Sequence, residues 1–445
     1  MKGLLSYEKQ SSILDCIIIL GTLSFFVLKV MYSSGDLTPD SIQYFLQAKD
    51  FWTYKVNFPL GYPLAVKTLS YLTGSYFTAS KVVNILSYLG IVLFSYKKKF
   101  YFPQTLVIFS FYPFVGFYPY SLSEPLYYFF NYLIIYYVYR ISREGIKPKY
   151  AAYLGILFFM LVSVRFSGIF VFVFSMLFLA LISWRKKYSL ISYLSAMTVA
   201  SLGVFLYLMI NSLYCGYAFG NRSHLHQAPV HLFSVFIPHF LYSLCHDFSL
   251  FHSILHKGIL SRISFIHLYS GLLLITGGIL LVIKKGKKLS SFNFYLVLCC
   301  SGILLSLLYS YYTTIIDDNI RIKSNAFLYL AMIIVFNIPR YTLNSLKVFV
   351  IAILVLNNFT VLIYYKRTDF LLNKYDAFIS NCVHKKVNII YKNFRDKHER
   401  NHAAVLFFKA RLIDKGFDMF ESESPVPSES DCRINTSEII RMDNK

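Results

Sequence analysis

Between residues 13 and 365, apolar runs long enough to cross a bilayer alternate with short basic clusters. Few folds are open to a chain patterned this way. A run of about 20 apolar residues spans hydrocarbon as a helix, because only a helix satisfies its own backbone polar groups there. Composition agrees: 56% of the 445 residues are apolar, 19% aromatic and only 15% charged. A water-soluble fold lacks the polar surface to cover that much apolar side chain. The expected fold class is therefore all-α, a polytopic transmembrane bundle of about 11 spans.

The net charge of +22 would suggest nucleic acid in a soluble protein. Here the basic residues sit between apolar runs, where they orient helices, so no nucleic-acid partner is expected. The first run, 13–31, follows Lys2 and Lys9 and shows no small-residue cleavage pattern, which reads as an uncleaved helix with its lysine flank in the cytoplasm. That orientation puts Asp36 and Asp40 outside. The second run, 79–96, returns to Lys97-Lys98-Lys99, and the third, 102–117, leads out to the turn bearing Glu124.

The apolar stretch 150–184 is too long for one crossing and carries Arg165 near its middle. One helix would split the basic groups at 140–149 and 185–187 across the membrane, so two helices broken at Ser163-Val164-Arg165-Phe166-Ser167-Gly168 fit better. Arg165 then faces the side of Asp40 and Glu124. A long external segment, 211–262, is expected to lie along the interface, and Arg321 falls in a later external turn, 317–323. Two units follow. Residues 1–365 form the membrane domain with its first external loop at 32–78, and residues 366–445 form a basic amphipathic tail with a polar, unstructured end. Counting spans puts the tail outside, whereas its lysines favour the cytoplasm.

The first external loop is the richest in chemistry. Thr38 and Pro39 read as N-cap and first helical residue, with Asp40 in the first turn and Tyr44 one turn on, before Phe58-Pro59-Leu60-Gly61-Tyr62-Pro63-Leu64. Asp40 in that position also complements a helix dipole, and Ser123 before Glu124 reads as a helix cap. Asp36 reads as a solvated turn acid. Arg165 at membrane depth is functional by default, with snorkelling its competitor, and Arg321 beside Asp317 and Asp318 also suits an ion pair. The seven cysteines show no ligand-like spacing, against a disulfide framework or zinc site. His252 and His256 have a metal-clamp spacing without a completing carboxylate, so interfacial packing is the better reading. Asn221-Arg222-Ser223 fits an N-glycosylation acceptor in form.

A helix leading outside, then Pro39-Asp40-Ser41 with Tyr44 and Ala48, then Phe58-Pro59-Leu60-Gly61-Tyr62-Pro63-Leu64, resembles the first external loop of the GT-C glycosyltransferases. These membrane enzymes take a sugar from a polyprenyl-phosphate carrier, and the resemblance extends to protein mannosyltransferases and aminoarabinose transferases. Ser123-Glu124-Pro125-Leu126 and Val164-Arg165-Phe166-Ser167-Gly168 are similar to motifs of the GPI mannosyltransferase branch, and Asn319-Ile320-Arg321 to a late external arginine. The chain departs from the pattern in having Asp40-Ser41 in place of an Asp-Glu pair, and Arg321-Ile322 where Arg-Tyr is usual.

The resemblance implies an inverting transfer with Asp40 as base and Glu124 as the second acid. Arg165 and Arg321 would meet the lipid phosphate, with Lys55 or Lys67 as lesser cations. The many tyrosines and phenylalanines suit interface belts, and those near Tyr44, Trp52 and Tyr62 also suit stacking on a sugar ring. A polyprenyl-phosphate-linked sugar donor and a lipid, glycan or protein acceptor are the expected partners. No resident cofactor is expected, a divalent cation being the one candidate, and the expected location is a bacterial cytoplasmic membrane, or alternatively the ER membrane. A lipid-linked glycan polymerase or ligase, and a lipid or sugar transporter, are the rival readings.

Overall fold

The computed structural model describes residues 2–32, 36–54, 58–186, 190–219, 232–249, 264–285, 290–313, 320–364, 368–382, 385–393, 396, 400–423 and 432–444. They form a multi-pass helical membrane protein. Among the described residues, seven helical stretches are long and apolar enough to cross a membrane: Ser12–Tyr32, Tyr76–Lys98, Gly168–Lys186, Leu190–Cys215, Phe265–Lys284, Ser291–Tyr312 and Arg340–Ile363. In chain order the membrane domain runs α1 (Lys2–Tyr32), α2 (Pro39–Lys49), α3 (Gly61–Thr73), α4 (Tyr76–Lys98), α5 (Phe102–Phe109), α6 (Tyr112–Val115), α7 (Glu124–Glu144), α8 (Pro148–Val164), α9 (Gly168–Lys186), α10 (Leu190–Cys215), α11 (Phe233–Asp247), α12 (Ser264–Lys285), α13 (Ser291–Thr313), α14 (Ile320–Val335) and α15 (Arg340–Tyr364).

The helices outside the set of seven are explained by where they sit. α7 is rich in tyrosine and packs against α4, α8, α9 and α13, with Tyr127, Tyr128 and Tyr132 fully buried. A helix surrounded by protein need not be uniformly apolar. The stretch 102–117 is not one helix: α5 has eight residues and α6 four, with Pro103 and Pro113 at their starts and Leu106 to Phe109 buried. Small residues let α8 and α10 pack closely, since a Cβ at Gly155 would stand 2.8 Å from the Val199 carbonyl oxygen. Asp15 of α1 and Lys347 of α15 pair at 2.6 Å, matching two ionisable groups that would be costly alone.

The tail departs most from expectation. After α16 (Thr368–Ile379) comes a three-stranded parallel sheet of β1 (Lys386–Ile390), β2 (Asp418–Ser422) and β3 (Cys432–Asn435), in the order β2-β1-β3. α17 (Ala403–Asp414) crosses from β1 to β2, and α18 (Thr436–Asn444) closes the chain where an unstructured end was expected. Burial of Val387, Ile389 and Ile434 in one core with Val405 and Phe408 of α17 explains the strands, whose apolar runs are too short to stand out in a long polar tail. Cys382 and Cys432 form a disulfide, a pairing that their 50-residue separation hid.

The tail sits on the first loop. Leu37, Phe45, Tyr62 and Val66 share one core with Tyr375, Val387, Phe407 and Phe408. Asp414 accepts from the Ser75 hydroxyl and the Tyr76 amide, both at 2.7 Å, capping α4, while Lys49 donates to the Phe417 carbonyl at 3.3 Å. The tail and the loop therefore lie at the same end of the bundle.

Candidate active site

α2 begins as its sequence predicts. The Thr38 hydroxyl accepts from the Ser41 amide at 3.3 Å and the Ser41 hydroxyl accepts from the Thr38 amide at 3.1 Å, a reciprocal cap that fixes Asp40 in the first turn. Glu124 opens α7. Arg165 occupies the break between α8 and α9 in an extended conformation, and Arg321 lies in the first turn of α14, a helical position where a turn was expected.

These four residues, drawn from four separate segments, meet. Glu124 Oε1 accepts from both Arg165 and Arg321, and Arg321 also donates to Asp40 Oδ2. The result is an alternating chain, Arg165–Glu124–Arg321–Asp40, two positive and two negative. Exposure grades along it: the Glu124 side chain is 0% exposed, Arg165 14%, Arg321 21% and Asp40 32%. Glu124 is thus a buried anchor between two guanidinium groups, while Asp40 is the acid open to the surroundings. Asn325, four residues beyond Arg321 and so on the same helical face, donates to the Ser167 hydroxyl at 3.0 Å and ties α14 to the break. In the sequence that brace is marked by nothing more than the four-residue spacing of Asn325 from Arg321.

The aromatic candidates behave differently. Tyr44 is buried, shares a hydrogen bond with the Ser123 hydroxyl at 3.2 Å and packs against Phe58 and Tyr62. Burial, more than the neighbouring charges, raises its phenol above the ordinary range. Tyr62 is fully buried and donates to Asn84 at 3.5 Å. Both rings hold the loop together, and neither presents a face to a ligand. Trp52 does, at 76% exposure. Lys55 lies outside the described residues, as do His252, His256 and Asn221. Asp36 is buried and paired with Lys29 at 3.3 Å, unlike the solvated acid expected.

Beside the charged chain runs a groove of about 1180 Å³, lined by Phe51, Trp52, Leu64, Phe129, Phe159 and Tyr214 among others and almost wholly apolar. Lys67, 5.7 Å from the centre of the Phe51 ring, is its one cationic lining residue among those described. The four charged side chains do not line the groove, but Ser163 and Val164, just before Arg165, and Leu126, just after Glu124, do. Gly61 makes this junction possible. A Cβ there would stand 2.8 Å from the Ser163 carbonyl, so only glycine lets the loop meet the helix break. The Leu60 amide donates to the Tyr207 hydroxyl at 3.1 Å, holding the loop from the other side.

Among the described residues no three His, Cys, Asp or Glu side chains gather as a metal site. No protein-family model matches this chain, and no curated protein matches it.

Proposed function

We propose that this protein is a membrane-embedded glycosyltransferase of the GT-C kind, moving a sugar from a polyprenyl-phosphate carrier to an acceptor hydroxyl outside the cytoplasm. The observation that carries the reading is the meeting of Asp40, Glu124, Arg165 and Arg321 beside a large apolar groove. An apolar tail seated in that groove would bring its phosphate head to the end where the arginines stand.

In this reading Asp40 takes the proton of the acceptor hydroxyl as its oxygen attacks the anomeric carbon from the face opposite the phosphate. The bond from that carbon to the phosphate oxygen breaks, and the polyprenyl phosphate leaves with the electron pair. Arg165 and Arg321 meet the charge growing on the leaving group, and fixed cations in a partly dry site are worth far more than in water. Glu124 is a positioning residue that aims both guanidinium groups.

Eleven crossings, with the loop and tail outside, suit the basic clusters at 97–99, 140–149 and 284–288. A disulfide in the tail suits an oxidising compartment. The deciding experiment gives purified protein a radiolabelled polyprenyl-phosphate sugar. Transfer or slow hydrolysis supports the proposal, glycan elongation points to a polymerase or ligase, and flux across vesicles without chemistry points to a transporter.

A further inference from the structure

At the end of the bundle away from the acids, α4 stops at Lys98, and the chain turns sharply into α5 beside the start of α15. The length of α4, 23 residues, separates this turn from the loop by about 35 Å. A pocket of about 650 Å³ opens there, lined by Tyr96, Lys97, Lys99, Tyr101, Arg340 and Asn344 among others. Three cations from two distant parts of the chain converge on it, and no carboxylate is among its lining residues. Among the described residues none of the three cations has an acidic partner, in a protein where Arg165, Lys323 and Lys347 all do.

The turn is held in an unusual shape. Lys99 and Tyr101 both have positive φ, at 49° and 48°, a left-handed conformation that side-chain-bearing residues adopt at a cost of about 1–2 kcal/mol each. Tyr101 is pinned by stacking on Phe336 at 4.1 Å, with the rings 7° from parallel. The second wall is apolar, from Phe102, Pro103 and Leu343. Leu93, one turn before Lys97 on the same face of α4, and Val348 on α15 are exposed and continue that surface along the two helices.

We propose that this pocket binds the anionic headgroup of a membrane phospholipid, its phosphate held by Lys97, Lys99 and Arg340 and its acyl chains lying along α4 and α15. A cluster of cations over apolar surface at a helix end matches a phosphate joined to hydrocarbon. A free phosphate would make no use of the apolar wall. The site stands apart from the sugar-transfer reading and does not depend on it.

The test uses delipidated full-length protein in mixed micelles holding equal amounts of phosphatidylglycerol and phosphatidylcholine, with retained lipid counted by mass spectrometry. Wild-type protein should keep phosphatidylglycerol in preference, and each of Lys97→Gln, Lys99→Gln and Arg340→Gln should lower the preference by about fivefold. Lys98→Gln, a neighbour that does not line the pocket, should leave it unchanged, and unaltered melting of each variant shows that the fold is intact. No preference in wild type, an equal loss with Lys98→Gln, or displacement by inorganic phosphate at constant ionic strength would each overturn the proposal.

Discussion

Glu124, fully buried at the head of its helix, is held by the guanidinium of Arg321, 197 residues further along the chain. Arg165 holds the same oxygen from a third segment. Removing one member of a buried ion pair strands its partners and typically costs about 3–5 kcal/mol. Glu124→Gln should therefore lower the melting temperature markedly, and Glu124→Gln combined with Arg321→Gln should cost less than the sum of the two by about 0.5–3 kcal/mol. Strict additivity in that cycle would mean the contact carries no energy.

Asp40→Asn tests the base. The reciprocal cap between Thr38 and Ser41 does not use the Asp40 side chain, and an asparagine oxygen can still accept from Arg321, so α2 should keep its start and the melting temperature should fall less than with Glu124→Gln. Sugar transfer should fall by about 10²–10⁴-fold, the usual contribution of general base catalysis. Normal turnover in the folded variant would take Asp40 out of the mechanism.

Arg165→Lys keeps the charge and removes the planar fork. Donor KM should rise while the acceptor KM stays near wild type, because an ammonium cannot hold Glu124 and a phosphate oxygen at once with the same geometry. An unchanged donor KM would return Arg165 to a purely structural pairing with Glu124.

Much of this arrangement was legible in the sequence because it is written locally. Thr38-Pro39 announces the helix that carries Asp40, and the basic groups around the stretch 150–184 demanded the break at Arg165. The parts that were hidden depend on packing. Tyr44 and Tyr62 look like ring faces for a sugar, yet they pack on each other and bond to Ser123 and Asn84 inside the core that the loop shares with the tail. The tail's strands are four or five residues long, and their partners lie up to 45 residues away in pairs such as Val387 with Cys432, so no local periodicity marks them. Arg321 follows a stretch outside the described residues, and its pairing with Glu124 and Asp40 across the bundle has no signature in sequence spacing.

The tail should loosen in acid at a definite point. Asp376 accepts two hydrogen bonds from Arg411, at 2.7 and 2.6 Å, and these pull its carboxyl below the ordinary value of 3.8. A depressed folded value means that the pair's contribution is present above that pH and fades as pH falls through the lower, folded one. Wild-type protein should therefore melt higher than Asp376→Asn at neutral pH, and the gap should narrow as pH falls below the ordinary value of 3.8 and close below the lower, folded one. A gap that persists in strong acid would show that the variant acts through packing.

The docking of tail on loop makes the sidedness of the whole chain testable with two thiols. Lys49 reaches Phe417 and Asp418 from the loop, and Asp414 caps α4 at Ser75, so loop and tail cannot lie on opposite faces of a membrane. Thr53 and Ser380 are both exposed, one in each unit, and Lys98 is exposed at the far end of α4. In sealed vesicles whose native free cysteines have been replaced, an impermeant maleimide should label Thr53→Cys and Ser380→Cys from one face and Lys98→Cys only from the other. Labelling of Ser380→Cys together with Lys98→Cys would separate the tail from the loop. The shared core of Tyr62, Tyr375 and Phe407 would then be lost.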